Sequence, residues 1–131
     1  MTQVQSHIGK ELYKVTIESP SGNTIIADEP AELGGKGKGF SPKELLIAAL
    51  AACTSATLRM YADRKAWDLQ EVKINLDLQK AEGADKTIIH RKIMLVGNLD
   101  EAQRERLLYI ANACPLHKIL SNPIEIDTVI E

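Results

Sequence analysis

The stretch "SPKELLIAALAACTSATLRMYADRK", starting at Ser41, constrains the fold more than any other. Ser41 is a capping residue, Pro42 fits a first helical turn, and Glu44 stands three residues after the cap, as a capping box requires. A helix from about 42 to 65 follows. Its first half is apolar all round and its second half amphipathic, and Ala48, Ala49, Ala51 and Ala52 leave room for a close neighbour. So apolar a helix in a chain of 131 residues is expected to take part of its cover from a second subunit.

Around this helix the pattern changes period. "ELYKVTIES", the turn "PSGN" and "TIIADEP" read as a hairpin, and "AELGGKGKGFSP" as a glycine-rich loop, either a lid or a connector. Val72, Ile74, Leu76 and Leu78 alternate along one strand; "EGAD" turns the chain, and "KTIIHRKIMLVGNL" returns as a second hairpin partner. Asp100 then caps a second helix carrying Leu107, Leu108, Ile110 and Ala111, and "NPIEIDTVIE" closes as a short alternating strand. The expectation is one α+β domain over residues 1–131, with antiparallel sheets around two helices.

A formal charge of −2 with both signs interspersed gives no reason to expect nucleic acid or an anionic membrane as partner. The N-terminus lacks a signal-peptide core, and no stretch reaches the roughly 18 to 20 uninterrupted apolar residues of a membrane span. A cytoplasmic setting is expected, in which the chain's two cysteines start as thiols and any disulfide between them is transient and chemical.

Cys53 lies deep in the first helix, where burial raises a thiol's pKa unless the fold brings a cation or donor to it. Cys114 precedes Pro115 in "NACPLHKIL", so it falls at the start of a short helix whose exposed amides favour a thiolate, with His117 and Lys118 close by. Each cysteine, taken alone, also fits a small packed hydrophobe. Cys53, Cys114 and His117 make only half a zinc site, and no second ligand pair exists, so no metal and no cofactor are expected. Glu44 lies about 13 Å along the helix from Cys53, which leaves it the role of a cap. Trp67 is expected to pack the helix end, and His90 to be an ordinary strand residue.

The combination is more specific than its parts. "SPKELLIAALAACT" opening a long helix, hairpins around it, and "ANACPLHKIL" placing a second cysteine 61 residues after the first resemble the OsmC/Ohr family of osmotically inducible and organic hydroperoxide resistance proteins. That resemblance implies an intertwined homodimer with sites at the subunit interface. It also implies a peroxidase in which Cys53 attacks the O–O bond of a small apolar hydroperoxide and becomes a sulfenic acid. Cys114 then condenses with it to a disulfide, which an external dithiol such as a lipoyl group reduces. The apolar helix would supply a dry pocket favouring organic peroxides, since burying alkyl surface is worth about 25 cal/mol per Å².

One departure leaves a question open. Family peroxidases pair a glutamate ten residues before the first cysteine with an arginine from an earlier loop, whereas this chain has Lys43 at that spacing and no arginine before Arg59. Lys36, Lys38, Lys43 and His117 are the candidates for activating a thiol, although a lysine does not reproduce an arginine fork. The alternative is a non-peroxidase OsmC-like protein that binds a small apolar or thiol-reactive ligand at the interface.

Overall fold

The structure, a computed structural model, describes residues 1–131. Its strands are β1 (Gln5–His7), β2 (Val15–Glu18), β3 (Thr24–Ala27), β4 (Asp68–Lys80) and β5 (Thr87–Asn98). Its helices are α1 (Pro42–Lys65), α2 (Glu101–Asn112) and α3 (Pro115–Ser121). The chain divides into two compact units, Met1–Leu46 and Ile47–Glu131.

In the first unit β1, β2 and β3 form an antiparallel sheet in that order. Strand β1 is an addition to the hairpin expected from sequence; it pairs through Ser6 and Ile17. The glycine-rich loop is fastened down. Asp28, buried at the end of β3, accepts backbone N–H bonds from Tyr13 and Glu29 through Oδ1, and from Lys36 and Lys38 through Oδ2 at 3.3 and 3.1 Å. Burial raises its pKa, yet these four N–H donors prevail and hold the carboxyl below the usual aspartate range. Glycine is required where the loop returns along β3: a Cβ on Gly35 would run into the Glu29 carbonyl, and one on Gly39 into that of Ile26.

Helix α1 begins as its sequence dictates. Ser41 N–H donates to Glu44 Oε1 at 2.8 Å, and Glu44 N–H donates back to Ser41 Oγ at 3.2 Å. The helix is long and apolar enough in composition to cross a bilayer. Within this chain, however, only the stripe Leu50, Thr54, Leu58 and Ala62 is buried, while Leu46 and Met60 stay exposed. The i, i+4 spacing of that stripe is one helix face, so burial on every side is not achieved by one chain.

In the second unit β4 and β5 form a long antiparallel ribbon, with a bulge between Leu69 and Glu71. Its inward residues on β5 recur with period two, Ile89, Arg91, Ile93 and Leu95 alternating with exposed His90, Lys92, Met94 and Val96. The core joins Leu58, Ala62, Leu69, Leu99, Leu107 and Ala111, with Trp67 packed against it and edge-on to Tyr61. Helix α2 starts on a complete capping box between Asp100 and Gln103. Helix α3 is the third helix, set off by Pro115.

The closing segment departs from expectation: residues 123–131 form no strand. Their alternating apolar side chains find no partner strand in the chain, and Ile126 and Ile130 are 82% and 97% exposed. An alternating pattern makes a strand only where a sheet edge receives it.

Candidate functional site

Two elements bring the cysteines together. Cys53 is half-buried on α1, and Cys114 is fully buried as the residue capping α3; both are free thiols. Pro115 supports this placement, because its fixed φ suits a first helical turn and its missing N–H would have had no partner there. The Cys114 side chain then folds back over the turn, and His117 N–H donates to Sγ at 3.4 Å.

Thr54, the neighbour of Cys53, turns its hydroxyl inward. It donates to the Leu50 carbonyl at 2.7 Å and lies 3.8 Å from Cys114 Sγ. The cation at the site is Arg91. Its Nη1 donates to Thr54 Oγ1 at 2.9 Å and reaches Cys114 Sγ at 4.0 Å. Its Nη2 donates to Asn112 Oδ1 at 3.1 Å and to His117 Nδ1 at 3.0 Å. One planar fork thus ties α1, β5, α2 and α3 around a sulfur atom, which a lysine's single ammonium does not do.

These contacts set the acid–base state of the site. Burial pushes the Cys114 thiol up, but the His117 N–H, the Thr54 hydroxyl, the Cys53 thiol and the Arg91 guanidinium outweigh burial and hold it below the ordinary thiol range. For His117, loss of solvent and then the Arg91 charge both lower the pKa. An arginine only donates, so the Nδ1 facing it is an acceptor and the ring is neutral with its proton on Nε2.

Arg91, Asn112 and His117 also line a cavity of about 580 Å³, whose apolar walls include Leu50, Ile89, Ile93 and Leu120. Lys86 stands on the same cavity. The volume is within the range of small-molecule sites, which are mostly apolar with a few placed polar groups.

Of the residues expected from sequence, Cys53, Cys114 and His117 meet in the second unit. Lys36, Lys38 and Lys43 belong to the first unit. There Lys38 Nζ pairs with Glu11 at 3.0 Å, and Lys36 and Lys38 serve through their backbone amides on Asp28. Arg91 was not among the candidates. Its signal was present nonetheless: in the alternation Ile89, Arg91, Ile93, Leu95 it places a charge in the inward phase of a strand.

The same fold occurs in solved structures. A protein of Psychrobacter arcticus 273-4, named for osmotic stress induction and a detoxification response, is 26% identical, with a TM-score of 0.78 over 91% of this chain and 88% of that one. The OsmC-like protein of Mycoplasma pneumoniae is 21% identical, with a TM-score of 0.77 over 92% and 87% of the two chains. The organic hydroperoxide resistance protein OhrB of Bacillus subtilis is 23% identical, with a TM-score of 0.61 over 91% and 89%. Among curated proteins none matches the sequence. A family model described as OsmC-like protein matches residues 35–129, a span that includes both cysteines and Arg91, and the chain belongs to that family.

Proposed function

We propose that this protein is a thiol-dependent peroxidase that reduces small organic hydroperoxides. Cys53 attacks the distal peroxide oxygen and becomes a sulfenic acid, and Cys114 displaces the hydroxyl to form a Cys53–Cys114 disulfide. The observation that carries the reading is a pair of free thiols, a half-buried Cys53 next in sequence to Thr54 and a buried Cys114 whose sulfur lies 3.8 Å from Thr54 Oγ1, accepts the His117 N–H and stands 4.0 Å from the Arg91 guanidinium. A nearby second thiol protects a sulfenic acid from further oxidation by converting it to a disulfide. In the mixed polar and apolar cavity beside Arg91, Leu50, Ile89, Ile93 and Leu120 offer an alkyl group contacts that hydrogen peroxide cannot use.

Several parts of the reading go with it. An external dithiol, of lipoyl type, returns the disulfide to thiols, and the cytoplasm supplies the reducing background in which both begin. The working form is a homodimer of single-domain chains, 1–131. In the second unit Met60, Leu108 and Tyr109 are exposed on helices and Ile124, Ile126 and Ile130 of the tail are uncovered, side chains that a second copy would bury.

The test mixes reduced protein with one equivalent of an alkyl hydroperoxide and maps the cysteines by mass spectrometry within seconds. A Cys53–Cys114 disulfide with release of one equivalent of alcohol is expected. Persistent thiols would instead favour the alternative, a member of the fold that binds a small apolar or thiol-reactive ligand.

A further inference from the structure

The cavity of about 580 Å³ in the second unit carries two cationic side chains, Arg91 and Lys86, and no aspartate or glutamate lines it. That balance is the reverse of the whole chain's, whose formal charge is −2. None of the chain's ion pairs includes either cation. Arg91 Nη1 and Nη2 donate to the neutral acceptors of Thr54, Asn112 and His117, and the Cys114 sulfur at 4.0 Å is the most distant contact.

The polar atoms around the guanidinium are left with hydrogens to give. Arg91 Nε–H has no acceptor within the chain, because every bond of this side chain runs through Nη1 or Nη2. Asn112 turns its Oδ1 to Arg91, which leaves both hydrogens of Nδ2 free. His117 turns Nδ1 to the same Nη2, so its remaining proton sits on Nε2. No buried side-chain nitrogen or oxygen lacks a partner, so the free hydrogens of Arg91 and His117 are accessible from the cavity that these residues line. The other walls include the aliphatic Leu50, Ile89 and Leu120. Thr87 and Arg91 share one face of β5, roughly 13 Å apart along the strand, with Ile89 between them.

We propose that this cavity binds an aliphatic carboxylate of medium chain length, its head group held by Arg91 with Asn112 and His117 and its chain laid along Ile89 and Leu50. A carboxylate only accepts, which suits a wall whose spare groups only donate, and its bonds to a charged donor are roughly twice as strong as those of a neutral head group. The head belongs on Arg91 and not on Lys86. Contacts from α1, α2 and α3 already fix the guanidinium, so little freedom is lost when a ligand arrives. Lys86 is exposed just before β5, where solvent and salt screen its charge. The inference goes beyond the peroxidase reading and does not depend on it, because the charge and the donors are present whether or not Cys53 reacts.

The test titrates reduced full-length protein, without peroxide, with octanoate, octanamide and octylammonium in a calorimeter. Octanoate is expected to bind at least about tenfold more tightly than octanamide, and octylammonium not at all. In ¹⁵N-labelled protein the Arg91 Nε–H resonance should shift on addition of octanoate. Asn112→Asp keeps the shape of the side chain and places a carboxylate against Arg91. It should weaken octanoate at least about tenfold without lowering the urea midpoint. Arg91→Met should lose the preference for octanoate over octanamide, whereas Lys86→Gln should weaken octanoate by no more than about fivefold. Equal affinity of the wild type for octanoate and octanamide, no binding of octanoate, or a larger loss in Lys86→Gln than in Asn112→Asp overturns the proposal.

Discussion

Nη2 of Arg91 donates to Nδ1 of His117 at 3.0 Å, and this single bond decides the state of the imidazole. Desolvation and the adjacent cation both lower the His117 pKa, so the folded state resists a proton that the unfolded chain takes up near its ordinary value of about 6.5. The stability due to neutral His117 is therefore complete above about pH 6.5 and is lost as pH falls toward the lower folded value. Imidazole ¹⁵N shifts are expected to show Nδ1 unprotonated at pH 7, and His117→Gln should flatten the acid limb of a urea-stability profile. A His117 that titrates at its ordinary value removes the bond from the account.

Cys114 carries the same linkage on the alkaline side. Its folded pKa is held down against burial by the His117 N–H, Thr54, Cys53 and Arg91, so the thiolate contributes stability in full above the unfolded thiol value of about 8.5. That contribution is lost as pH falls through the folded value. Reduced wild-type protein should gain stability over Cys114→Ser between neutral pH and about pH 9, as read in urea melts under a reductant. Parallel profiles for the two proteins would contradict it.

Cys53→Ser is expected to abolish peroxide turnover and disulfide formation while leaving the fold intact, since Cys53 is half-buried and lies outside the packed core. Consumption of an alkyl hydroperoxide in the presence of a dithiol measures this directly. Retained turnover in the variant would remove Cys53 as the nucleophile.

Leu58 and Leu107 are both fully buried in one core, so Leu58→Ala and Leu107→Ala should each cost about 2–5 kcal/mol of unfolding free energy. The exposed Met60→Ala on the same helix should cost far less in a single chain. A large loss at Met60 that depends on protein concentration would reveal a buried intersubunit position.

Asp28 is the anchor of the glycine-rich loop. Asp28→Asn removes the charge that four backbone donors share, and the amides of Lys36 and Lys38 should then exchange with solvent faster while those of β5 are unchanged. Gly35→Ala should act in the same way, because the added methyl meets the Glu29 carbonyl. Equal protection of these amides in both variants and the wild type would show that the loop is held by other means.

Much of this arrangement was legible residue by residue. Ser41, Pro42 and Glu44 announced α1, Asp100 announced α2, and Pro115 placed Cys114 at the head of α3, because capping and proline geometry are local properties. Asp28 was not legible, since its partners are main-chain amides that any sequence carries. The tail was misjudged because alternation records a preference for a sheet edge and says nothing of where that edge is. Arg91 comes from a strand and not from a loop before Cys53, and its only trace in the sequence is the inward phase it occupies on β5.

The guanidinium at the heart of the site is carried by a strand, opposite Leu76 in the ladder of β4 and β5. Side chains on a strand alternate between its faces, so a slip of one residue would turn Arg91 outward and bring His90 or Lys92 to the sulfur instead. Neither offers the five-donor fork on which Thr54, Asn112, His117 and Cys114 converge. Under the proposed peroxidase function, redox competence would be a readout of β-ladder fidelity: a molecule that has mispaired its longest ribbon would lose the Arg91 contacts even with both cysteines present.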